Sequence, residues 1–307
     1  MEVFTRDDGR SLQVVKGFQE QVLSYRASVT PKQNWSDEDY SAAADKKLGR
    51  IQRFLLEVSR RRGALDGAQV LEVGCGDGIN CLLISLQPVR QVVGIDLQLP
   101  LFDPSERGER TRRLTCKILK RLGFGENIGE VFEQLPVCFA ISSATLMAFA
   151  DDSFDLLMSR SAMEHIIPLN KALAEMARVV RPGGLLYHSI DPYFWLRGCH
   201  KTGVVAIPWA HSRLSSEEFR RFVTESEGEA QAIKRCQRLK TLNRLTLKEW
   251  RKIIEEGPFE ILEWKEEWSP FAEALLEEHP EVEGSLLEGV ERRDLIHSRI
   301  KVWLRKA

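Results

Sequence analysis

The chain has almost no net charge: 44 Lys and Arg against 45 Asp and Glu leave −1 over 307 residues. Bulk electrostatics therefore point to no polyanionic partner, and no nucleic acid is expected. Its six cysteines, Cys75, Cys81, Cys116, Cys138, Cys199 and Cys236, include no CxxC pair. Most sit beside apolar residues, as buried thiols in a reducing compartment do. No run of 18 apolar residues occurs, so no membrane span is expected. The opening MEVFTRDDGR is charged where a secretory signal is apolar, and a cytoplasmic protein is the expectation. The histidines show no HxxxH or Cys/His spacing, so no metal is expected. Repeats and low-complexity tracts are absent too. A chain this long buries roughly 75% of its unfolded surface and needs no staple to hold a core.

What is present is alternation. Short apolar runs at 69–73, 91–95, 137–142, 154–159 and 185–190 suit buried parallel strands. Helical stretches at 78–86, 111–122 and 169–180 separate them, which predicts an α/β fold with a doubly wound sheet and right-handed crossovers. Residues 1–62 read as a helical N-terminal cap. Leu48, Ile51, Phe54, Leu55 and Val58 recur at helical spacing, with Arg50, Arg53 and Arg60 turned to solvent, and Gly63 ends the helix. Residues 63–190 form the α/β core. Residues 191–256 break the pattern and carry two capping boxes, Ser215 with Glu218 and Thr246 with Glu249. They read as a lid inserted over the mouth of the core. Residues 257–307 complete the sheet, with strands at 259–268 and 299–304 and an acidic surface segment at 273–291. In the basic helix at 111–121, Arg112, Arg113, Lys117, Lys120 and Arg121 lie off the stripe of Leu114 and Ile118 and read as a solvated face.

The chemistry begins with VLEVGCGDGIN at 70–80 and VVGID at 92–96: strand, glycine turn, helix, second strand, acid. Such a unit holds a ribose-containing cofactor at the carboxyl ends of parallel strands. The glycines are Gly74, Gly76 and Gly78, with Cys75 between the first two and Ile79 where a dinucleotide fingerprint has its third glycine. Glu72 would repel a pyrophosphate and suits a positively charged ligand. Asp96 lies at the spacing where an acid accepts both ribose hydroxyls. A nucleoside with a cationic tail and no phosphate is S-adenosylmethionine (SAM).

Four motifs follow one order: LEVGCGDG at 71–78, GID at 94–96, ADDSFDLLMSRSAMEHI at 150–166 and RVVRPGGLLYHSID at 178–191. Over about residues 45–190 the set resembles the class I SAM-dependent methyltransferases of the bacterial small-molecule branch. The resemblance implies a seven-stranded, mostly parallel sheet with the last strand antiparallel. Backbone N–H groups at the start of the Gly78 helix would meet the SAM carboxylate, with Glu72 near its amino group and Leu97 on the adenine face. Ser143 and Ala144 stand where the family has an acid for the adenine amino group. Ser159 ends the strand whose backbone faces the sulfonium. His165 is the candidate general base, and Asp191 lies at the sheet edge where an acceptor would sit.

Beyond 191, the WAHSRL segment and the later NR pair resemble elements of bacterial methyltransferases whose acceptors are often saccharides or other natural products. Trp195, Trp209, His211, Asn243 and Arg244 are the implied acceptor residues, against an ordinary packed lid. His188 reads as a satisfied core histidine, and Asp151–Asp152 as a surface turn. The expected activity is methylation of a small-molecule acceptor, at an oxygen of a saccharide or other natural-product intermediate. The alternative is a non-catalytic SAM-binding or partner-binding subunit that uses the basic helix as its contact surface. A homodimer is left open.

Overall fold

In the computed structural model, which describes residues 2–25, 35–125 and 127–307, the chain opens with an antiparallel hairpin, β1 (Val3–Thr5) and β2 (Ser11–Gln13). α1 (Phe18–Ser24) follows. α2 (Asp37–Arg62) starts at a capping box of Ser36 with Asp39 and ends at Gly63, whose φ of 86° lets the helix stop there. The predicted helical cap is thus correct for α2 and wrong for the first residues. The Asp7–Asp8–Gly9 turn joins two short alternating strands, which helical periodicity passes over.

The core runs β3 (Gln69–Val73), α3 (Ile79–Ile84), β4 (Gln91–Asp96), α4 (Glu106–Arg121), α5 (Ile128–Gln134), β5 (Val137–Ile141), β6 (Phe154–Arg160), α6 (Leu169–Val179) and β7 (Val180–Ile190). α4 begins five residues before the predicted 111, because the Ser105 side chain accepts from the Gly108 N–H and caps it there. The lid contains α7 (His200–Gly203), α8 (Ala210–Arg213), α9 (Ser216–Glu227), α10 (Glu229–Leu239) and α11 (Leu247–Glu255). Both predicted capping boxes are formed. β8 (Phe259–Trp268), α12 (Pro270–Glu277), α13 (Arg292–Ile296) and β9 (His297–Lys306) end the chain.

Among the described residues the main sheet has seven strands in the order β5-β4-β3-β6-β7-β9-β8. β9 is antiparallel to both of its neighbours, and the remaining pairs are parallel. Mixed α/β with this sheet is the fold the sequence predicted. α2 covers one face, where Phe54 packs 5.3 Å from Tyr187 and 5.9 Å from Trp303 between ring centroids. α6 and α11 cover the other, burying Met176 and Trp250 completely.

Two surface segments also make inward contacts. The acidic segment at 273–291 turns its apolar residues inward, and Leu275, Leu276 and Val282 join the lid core with Phe4, Phe18 and Trp209. The basic side of α4 docks onto α2: Lys117 pairs with Asp37 at 2.6 Å, Arg121 pairs with Asp45, and Arg113 lies over the Tyr40 ring. Arg113, Lys120 and Arg121 stay exposed on this side, as a solvated face does. No helix of the described residues is long and apolar enough to cross a membrane.

Candidate cofactor and acceptor site

The glycine turn is held at the carboxyl end of β4, where the Gly74 and Cys75 N–H groups donate to the Ile95 carbonyl at 2.8 and 3.0 Å. Gly74 has a φ of +73°, and a Cβ there would lie 2.3 Å from the Ala162 Cβ, so the turn and the segment after β6 touch. A Cβ on Gly76 would meet nothing within 4 Å; this backbone faces open space. Cys75 is buried beneath the turn, leaving its backbone to the site. Gly78 is the left-handed residue that starts α3, and its missing Cβ makes room for the Phe139 ring.

Asp96 Oδ2 accepts from the Gly76 N–H at 2.8 Å and Oδ1 from the Gln98 N–H at 3.2 Å. A carboxylate has about four acceptor positions, so two are left for hydroxyls. Leu97 next to it is 71% exposed, and Ile141, paired with Asp96 across the sheet, is 73% exposed. Such bare apolar side chains at a strand edge suit the faces of a base. Ser143 accepts from the Thr145 N–H and shares a 2.8 Å bond with its hydroxyl, while Ala144 packs against the core. An open glycine turn, an acid with free lone pairs and an apolar edge together fit a nucleoside.

Glu72 lies deeper. It accepts from Asn80 Nδ2 at 2.7 Å and from the Cys81 thiol at 3.0 Å, and burial pushes its pKa up to about 7. The structure thus gives Glu72 partners on α3. Ser159 is buried as well, its hydroxyl bonded at 2.8 Å to His188 Nδ1, which leaves only its backbone at the strand end. Burial holds His188 down to about 4, so it is neutral in the fold, the satisfied core histidine expected. Below pH 6.5 the unfolded chain protonates this residue and the folded chain does not, so stability falls as pH falls from 6.5 towards 4. Glu72 acts with the opposite sign, gaining its proton in the fold below about 7, and over pH 7 to 5 it offsets a loss of this size in full. In urea titrations at pH 7 and 5, the stability change of His188→Asn on going to pH 5 is expected to be more favourable than that of the wild type by about 2 kcal/mol. An unchanged difference would show that His188 is charged in the fold.

Beyond β6, residues Met163–His165 form a single tight turn. Glu164 is 1% exposed, and its carboxylate faces its own N–H and that of Asp191 without closing a hydrogen bond of ordinary geometry. Burial, then the Asp191 charge, pushes its pKa well above the usual carboxylate range. His165 Nε2 lies 3.2 Å from His200 Nε2 with the rings stacked, and burial, then His200, holds it down to about 4. Asp191 Oδ1 accepts from Arg299 Nε and Nη2 at 3.0 and 2.8 Å.

The lid residues divide. Asn243 pins the lid to this turn, its N–H donating to the Glu164 carbonyl at 2.7 Å and its Nδ2 to those of Met163 and Ile166. Arg244 donates to the Ser216 hydroxyl and lies over the Tyr193 ring. Trp209 is 1% exposed, packed on Phe18, and donates to the Leu295 carbonyl. His211 is bonded to the Trp195 carbonyl at 3.1 Å, and Trp195 packs against the lid core. Trp209 and His211 are therefore packing residues in place of an open platform, because the lid needs large side chains to fill its interior. A cavity of about 320 Å³ in the lid, between α9 and α10, has His211 and Arg244 among its walls. Glu164, Arg160 and Arg299 also stand near this turn; the sequence put Arg160 at the strand end and Glu164 in the turn beyond it without a role, and gave no sign of Arg299. Position at a strand end was the available signal for Arg160.

Residues 71–188 match a family described as a methyltransferase domain. Over those residues the chain is similar to methyltransferase domains. Among curated proteins, a ubiquinone biosynthesis O-methyltransferase of Rhizobium rhizogenes is 31% identical over 127 residues, 40% of this chain and 41% of that one. Methyltransferase GfsG of Streptomyces halstedii is 26% identical over 135 residues, 44% and 42% of the two chains. The chain thus spans about two-fifths of the length of these relatives. A SAM-dependent methyltransferase of Mesorhizobium loti has a similar solved structure, with 14% identity, a TM-score of 0.44, and 81% of this chain and 96% of that one covered. A methyltransferase domain of this fold implies SAM as its cofactor, which the turn, Asp96 and Leu97 would hold.

Proposed function

We propose that the chain is a SAM-dependent methyltransferase acting on an oxygen of a small-molecule acceptor. The observation that carries this reading is the open glycine turn beside Asp96, inside the region similar to a methyltransferase domain and packed through Gly74 on Ala162, which leads into the Met163–His165 turn. Bound at the turn, SAM supplies an electrophilic methyl group on a cationic sulfur. The chain's part is to hold the acceptor in line and exclude water, and such positioning supplies roughly 7–11 kcal/mol. Oxygen as the attacking atom is supported by the R. rhizogenes relative, whose name is that of an O-methyltransferase. A natural-product hydroxyl is the finer reading. A saccharide has less support, since Trp209 and His211 are buried inside the lid.

His165 is the proposed proton acceptor at the mouth, neutral near pH 7 because burial lowers its pKa to about 4. So low a value makes it a weak base, and His165→Ala is expected to slow turnover by about tenfold with affinity for S-adenosylhomocysteine kept. A wild-type rate would remove it from the reaction. The reading as a whole is tested by calorimetry with S-adenosylhomocysteine, and by mass-spectrometric detection of its release from SAM with a panel of hydroxylated natural products. Failure to bind S-adenosylhomocysteine would sink it.

A further inference from the structure

On the α2 face of the sheet, the row that starts with Met158, Tyr187 and Trp303 continues two residues on as Arg160, Ser189 and Lys301. One step further along that face stand Asp191 and Arg299, joined by their two hydrogen bonds. α2 lies over this row, with Lys47 paired to Asp77 of the glycine turn at one end and Arg62 against Asp155 near the start of β6 at the other. Arg50, one helical turn before the Phe54 that packs on Tyr187 and Trp303, therefore overhangs the same strand ends. Sequence reasoning had turned it to solvent; the structure half-buries it at the mouth.

Three guanidinium groups thus converge beside the cofactor turn. Arg299 has Asp191. Among the described residues Arg50 and Arg160 make no hydrogen bond and no ion pair, although both are half-buried. Burial, then the charges of Arg50 and Arg299, hold Arg160 down to about 10. The other nearby carboxyls do not balance them: Asp77 is taken by Lys47, and burial favours the neutral form of Glu72 and Glu164. Half-buried, mutually repelling cations without counter-charge are costly. Lysine in such a place sheds its proton, whereas arginine keeps its charge and its fork of donors for an oxyanion. SAM is itself a net cation, so its arrival deepens the excess even if its carboxylate turns this way.

We propose that Arg50 and Arg160, backed by Arg299, form an oxyanion-binding site, and that the methyl acceptor is an acid carrying a carboxylate or phosphate group. This rests on the methyltransferase reading, and it adds a chemical class to the acceptor: a hydroxyl to be methylated and an acid group by which it is held.

The test uses the whole chain with inorganic phosphate as the probe. With S-adenosylhomocysteine saturating, phosphate is expected to raise the melting temperature saturably at constant ionic strength. In Arg160→Gln and Arg50→Gln the apparent phosphate affinity should fall by about tenfold or more, while affinity for S-adenosylhomocysteine stays within about twofold. Equal phosphate responses in wild type and both variants would overturn the site. So would loss of S-adenosylhomocysteine affinity with binding of 5′-methylthioadenosine unchanged, since the arginines would then hold the cofactor's own carboxylate. Phosphate titrations without nucleoside keep the two readings apart. A chain that responds to phosphate through Arg160 but binds no S-adenosylhomocysteine would refute the methyltransferase reading and leave the oxyanion site standing.

Discussion

Asp96→Ala is expected to weaken S-adenosylhomocysteine binding by about 100-fold or more while the protein stays folded. A hydroxyl donating to a carboxylate contributes roughly 1.5–3 kcal/mol, and two such bonds amount to roughly 3–6 kcal/mol, or two to four decades of affinity. In the free protein the same carboxylate accepts from the Gly76 and Gln98 N–H groups, so the substitution also loosens the turn. Asp96 is half-buried and water can reach those N–H groups, which keeps the folding cost near 1 kcal/mol. Calorimetry alongside a thermal melt separates the two effects. Unchanged affinity would place the nucleoside elsewhere.

Gly74→Val should damage both folding and binding. Its Cβ would sit 2.3 Å from that of Ala162, and neither atom is the far end of a flexible side chain. Relief requires the backbone of the turn or of the segment after β6 to move. The φ of +73° adds left-handed strain of about 1–2 kcal/mol to an overpacking cost of about 1–3 kcal/mol. A destabilisation of roughly 2–5 kcal/mol by urea titration is therefore expected, with S-adenosylhomocysteine binding lost at temperatures where the variant is still folded. Binding at wild-type strength would show that the turn does not touch the cofactor.

The sheet was largely legible because buried parallel strands are short apolar runs with glycine or acid at their ends. All five core strands and the two closing strands fall where those runs occur. The glycine turn and the acid beside it were legible for a related reason: backbone geometry at Gly74 and Gly76 and one acid at a strand end are local requirements. The acceptor side was not. Arg50, Arg160 and Arg299 lie on α2, β6 and β9, and only the register of the sheet and the path of α2 bring them together. Periodicity gave Arg50 to solvent because it registers the apolar stripe of a helix and not what overhangs its edge. Trp209 and His211 misled in the other direction, since aromatic and polar residues in an irregular segment serve a packed lid as well as a ligand.

The lid core also bears on the order in which the molecule can be completed during synthesis. Phe4 stacks edge-on against Phe222, and Trp209 donates to the carbonyl of Leu295, so its pieces span nearly the whole chain. The strands from β3 to β7 form a contiguous parallel block that can associate while the later residues are still unmade. The hairpin of β1 and β2 must wait with Phe4 and Leu12 uncovered until residues near 222 emerge, and the lid core around it stays incomplete until residues near 296 follow. Long-range closure of this kind is slow and exposes apolar surface in the interval. Nascent chains halted before residue 290 are thus expected to aggregate more readily than the complete chain.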